Sequence, residues 1–73
     1  MDKISTFILK EQSIDMLYNK GKLAYTFEYG GKSYGQKVDL KSKSVIDIAS
    51  ATFLLLENAL ETIEAVKKLP NDK

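Results

Sequence analysis

The apolar residues of this chain change their period once. Up to about residue 41 they tend to recur at every second position, and from about residue 44 they recur at helical spacing. A chain so written makes its strands first and one helix after them. The expected fold is therefore α+β, a four-stranded antiparallel sheet followed by one long C-terminal helix. Strands fall within about 3–41, the helix at about 44–69 and a short tail at 70–73, all in a single domain of 73 residues.

The clearest strand is "LAYTFEY", in which Leu23, Tyr25, Phe27 and Tyr29 alternate with Ala24, Thr26 and Glu28. Before it, Ile14, Met16 and Tyr18 alternate with Asp15 and Asn19, while Leu17 breaks the pattern. The intervening "NKGK" offers Gly21 for the left-handed position of a hairpin loop. Tyr34, Gln36, Val38 and Leu40 make a weaker fourth strand. The first, "ISTFILK", is apolar on both faces, which points to a strand covered on both sides or lying at a subunit contact.

The stretch "EYGGKSYGQK" superficially looks like a phosphate-cradling loop. A P-loop needs G-x-x-x-x-G-K-[ST] between a strand and a helix. Here Thr26 stands where the first glycine belongs, and a strand follows instead of a helix. Gly30 and Gly31 therefore read as the positive dihedrals of a hairpin turn.

The helix has a start and a stop. Ser44 caps it, Asp47 stands three residues on, Lys67 and Lys68 oppose the dipole in the last turn, and Pro70 ends it. Its apolar arc includes Ile48, Phe53, Leu55, Leu56, Leu60, Ile63 and Val66, while Leu54 falls among the acids on the polar side. Such a helix is longer than one small strand and wider in apolar arc than one small sheet can cover. A homodimer with the helix in its interface follows as the expectation, and Phe53, Leu54, Leu56, Leu60 and Ile63 are its candidate contacts, with a different protein partner as the alternative.

Composition removes most chemistries. The chain has no Cys and no His, which excludes disulfides, the usual zinc sites and an ordinary Ser-His or Cys-His nucleophile. Chains this short generally need a disulfide, a metal or a partner, which again favours association. No catalytic residue, metal ligand or cofactor is expected. Glu57, Glu61 and Glu64 share a helical face, and with no second acidic cluster they read as a solvated face. The start of the sequence lacks the features of a signal peptide and no apolar run is long enough to span a bilayer, so a cytoplasmic, membrane-free protein is expected.

All eleven basic residues are Lys. Lys20, Lys22, Lys32, Lys37, Lys41 and Lys43 face only Glu28 and Asp39 in residues 20–43, whereas residues 47–66 hold four acids and no Lys. Lys37 and Lys41 share one strand parity, with Lys43 extending the row. A twisted sheet bearing Lys, with Tyr29 and Tyr34 exposed beside the glycine turn, has the composition of a platform for single-stranded nucleic acid. The plain alternative is a solubilising face.

"NKGKLAYTFEY", then "GQKVDL", then a helix ending "LETIEAVKKL" is similar in order and spacing to the single-stranded-DNA-binding domain of the transcriptional coactivator positive cofactor 4. The resemblance covers the pattern of residues 7–69. It implies four antiparallel strands and a helix, dimerisation partly through that helix, and curved sheets whose basic and aromatic residues grip single-stranded DNA. By position Lys20 and Lys22 match the basic hairpin, and Lys37 a basic residue before the last strand's apolar pair. Two functions follow as expectations: a non-enzymatic single-stranded nucleic-acid-binding dimer using a Lys-bearing sheet face, or a protein-interaction module, adaptor or inhibitor, using the acidic helix face.

Overall fold

The computed structural model describes residues 2–68. Four strands and one helix follow in the expected order: β1 (Asp2–Leu9), β2 (Gln12–Asn19), β3 (Lys22–Tyr29), β4 (Lys32–Asp39) and α1 (Val45–Lys67). The strands lie side by side in sequence order, each antiparallel to the next. Each has eight residues. They begin at Asp2, Gln12, Lys22 and Lys32, so the sheet repeats every ten residues, a regularity hidden by unrelated side chains.

Every connection within the sheet is a two-residue turn with both dihedrals left-handed. Gly30 and Gly31 supply one at φ 62° and 81°, and Lys20 with Gly21 another at 47° and 79°. The third is Lys10–Glu11, at 51° and 66°, two side-chain-bearing residues in a conformation that glycine or asparagine usually fills. No residue type announces that turn, and it ends the first strand one residue before the end of "ISTFILK", while the strand begins two residues earlier.

The helix covers one sheet face. Ile14, Met16, Leu23, Tyr25 and Phe27 meet Leu55, Ala59, Ile63 and Val66 in a core from which water is excluded. The Tyr25 hydroxyl hydrogen-bonds Thr62 at 3.1 Å, so even the polar tip of this core tyrosine is satisfied. Ser44 caps the helix, its Oγ accepting from the Asp47 amide at 3.2 Å.

Four expectations change. β4 ends at Asp39; the Leu40 amide still donates to the Gly21 carbonyl at 2.8 Å, in register with the ladder, and Lys41 beyond it belongs to the connection and not to the strand. The helix closes at Lys67, with Lys68 as its cap, two residues before the expected end; Pro70 and the 70–73 tail lie outside the described residues. β1 is an edge strand covered on one side only: Phe7 and Leu9 pack on the core, while Ile8 is exposed, as is Ile4 at a register shift between Lys3 and Ser5. Ile63 is a core residue with almost no exposure and offers no contact to a partner.

Candidate functional site

Strand parity assigns the lysines. Lys22 and Lys37 lie on the face away from the helix, where Ala24 stands between Leu17 on β2 and Lys37 on β4. The same face carries Lys3, Asp15, Glu28 and Asp39, so its charges cancel. Lys22 is moreover engaged, its Nζ 2.7 Å from the Asp39 carboxylate. That hydrogen bond, and the Lys22 charge behind it, hold the Asp39 carboxyl below the usual carboxylate range, with a smaller contribution from Lys37.

The basic residues gather at one end of the molecule instead of along one face. The Lys20–Gly21 turn is hydrogen-bonded to Leu40, which brings Lys20 and Lys22 to the β4–α1 connection that carries Lys41 and Lys43. Lys37 lies one turn of the ladder away, opposite Ala24. Lys32 opposes Tyr29 at the other end, about 24 Å along β4. Tyr29 and Tyr34 do not join these lysines. Tyr29 and Tyr34 have the parity of the helix-side face, and Tyr34 is half-buried, its ring stacked on Phe27 at 5.3 Å between centroids. Phe27 supplies the cover that the strand pattern could not foresee.

Apart from Ile4 and Ile8 of β1, the apolar surplus lies on α1. Its C-terminal half builds the core, while Val45, Ile46, Phe53 and Leu54 are 80%, 77%, 64% and 47% exposed. The reason is dimensional: 23 helical residues extend about 34 Å, against about 27 Å for eight strand residues, and the molecule is 45 Å long. The N-terminal half of α1 runs past the well-packed part of the sheet.

That overhang has two flanks. Asn58 hydrogen-bonds Gln36 of β4 at 2.9 Å, which turns the side of Leu54 toward β4. Between them opens a groove of about 380 Å³ lined by Val38, Leu40, Ala51 and Leu54, with Asp39, Lys41, Asp47 and Ser50 at its rim. The opposite flank faces the β1–β2 end, where the Lys67 ammonium donates to the Lys10 carbonyl and Lys10 pairs with Glu64 at 3.5 Å. Leu56 and Leu60 are half-buried on that side, and Phe53 and Ile46 continue the stripe into solvent.

Glu57, Glu61 and Glu64 point outward, and among the described residues no three potential ligands gather into a metal site. No helix of the described residues is long and apolar enough to cross a membrane. No protein-family model, curated protein or solved structure matches this chain.

Proposed function

We propose that this protein is a small non-enzymatic protein-interaction module, working as a homodimer and holding its partner in the groove between β4 and the N-terminal half of α1. The observation that carries this reading is Leu54: a large apolar side chain on the otherwise acidic side of the helix, half-exposed over an apolar groove. The groove runs beside β4, an edge strand with unpaired backbone groups on its outer side. An extended peptide segment with one large apolar anchor fits these features, adding its backbone to β4 and its side chain to the groove. The test is capture by the immobilised chain, comparing the native protein with Leu54→Asp. Loss of captured protein from a variant with an unchanged circular-dichroism spectrum supports the groove, and equal capture by both overturns it.

The gathered lysines favour a second reading, single-stranded nucleic-acid binding at the Lys20–Lys43 end, in line with the resemblance to the positive cofactor 4 domain. Phosphates would be neutralised by Lys20, Lys22, Lys37, Lys41 and Lys43, without stacking on Tyr34. Titration of a fluorescent thymine oligomer at two salt concentrations tests it. Saturable binding that falls steeply with salt and is lost in Lys22→Glu/Lys37→Glu supports this reading, and no binding at low salt removes it.

A further inference from the structure

The flank of α1 opposite the groove carries Ile46, Ala49, Phe53, Leu56 and Leu60, spaced alternately by three and four residues. This is the spacing of a seam between two helices, and the helix's own sheet uses little of it: core contact runs through Leu55, Ala59, Ile63 and Val66, and of the seam Leu56 packs partly against that core. Phe53 and Ile46 in the seam are among the most exposed apolar residues of the chain.

We infer that the occupant is α1 of a second copy, lying antiparallel, with Ala49 of one copy opposite Leu60 of the other and Phe53 opposite Leu56. The inference rests on the homodimer part of the proposed function and specifies its interface. Three observations choose this arrangement. First, a side chain as small as Ala49 leaves room for Leu60, and Phe53 then falls against Leu56, so large and small residues alternate across the contact. Second, charge selects direction. Glu57, Glu61 and Glu64 occupy the second half of α1, while Lys43 stands just before its first turn. An antiparallel pair separates the two sets of glutamates, sets Lys43 of each copy beside the end of the other's helix that carries both Glu64 and Lys67, and opposes the two helix dipoles. A parallel pair sets the three glutamates of one copy beside those of the other. Third, a domain this small without Cys or His is of the kind that gains a second subunit, and the exposed stripe is where one fits.

The chain has no cysteine, so introduced thiols report on this contact alone. Chains carrying Ala49→Cys and chains carrying Leu60→Cys are mixed and oxidised, beside each variant alone and the native protein in sedimentation at tens of micromolar. The expected result is a mass of two chains for the native protein and a disulfide in the mixture between the two kinds of chain. Ala49→Cys alone gives none, because its two copies stand about 16 Å apart along an antiparallel seam. Should Leu60→Cys fold poorly, Phe53→Asp is the second variant: at so exposed a position it keeps the native circular-dichroism spectrum and reduces the mass to one chain. A native mass of one chain overturns the homodimer and the seam together. A mass of two chains with a disulfide in Ala49→Cys alone, or with Phe53→Asp still dimeric, overturns the seam and leaves the homodimer standing.

Discussion

Gly35 is the one glycine whose reason is space and not dihedral angle. A Cβ there would stand 2.6 Å from the Tyr25 carbonyl oxygen, a backbone atom that cannot move without opening the β3–β4 ladder. Gly35→Ala is expected to destabilise the fold by about 1–3 kcal/mol, the range of overpacking, and urea unfolding monitored by circular dichroism measures it. Asp39 gives a second residue-scale expectation. Its carboxyl is held low chiefly by the hydrogen bond from Lys22. A lowered folded value means that its contribution is complete above the ordinary carboxylate range and is lost as pH falls through that lowered value. In Lys22→Met the Asp39 carbon resonance should titrate closer to the ordinary range, and an unchanged midpoint would remove Lys22 as the cause.

At the scale of elements, α1 divides between two duties. Leu55 is wholly buried, so Leu55→Ala should cost about 2–5 kcal/mol in the same unfolding measurement, whereas substitutions at exposed Val45 should stay within about 0.5 kcal/mol. The helix was legible in the sequence because its cap, its period and its Lys-rich end agree. β3 was legible because both its faces keep a strict alternation, and Gly21, Gly30 and Gly31 declared two of the three turns. β1 was harder: Ile4 and Ile8 make its outer face as apolar as its inner one, and the Lys10–Glu11 turn carries no glycine. The lysine row is broken where the strand ends: the Leu40–Gly21 bond is the last pairing of the chain with the hairpin, and Lys41 and Lys43 lie past it in the connection to α1. Nor could parity alone reveal that Tyr34 lies against Phe27, since that stacking depends on the register of β4 on β3.

At the scale of the molecule, one helix is the whole cover of one sheet face. Ile14, Met16, Leu23, Tyr25 and Phe27 would face water without it, and a meander with a bare apolar face is not stable alone. A chain cut after Leu40 should therefore lose the dispersed amide spectrum of the full protein, and a dispersed, monomeric spectrum from that piece would refute the dependence. The tight turns have a further consequence, for the route to this state. Each strand closes on its immediate predecessor through a loop of two residues, so the chain surrenders little freedom at any one step of sheet growth. The hairpin at Lys20–Gly21 can form first and recruit β1 and β4 as neighbours. Only the docking of α1 joins sequence positions far apart, 37 residues in the Tyr25–Thr62 bond and 57 in the Lys67–Lys10 bond. Folding is thus expected to be quick for a sheet protein, with docking of the helix as the late event that sets its rate.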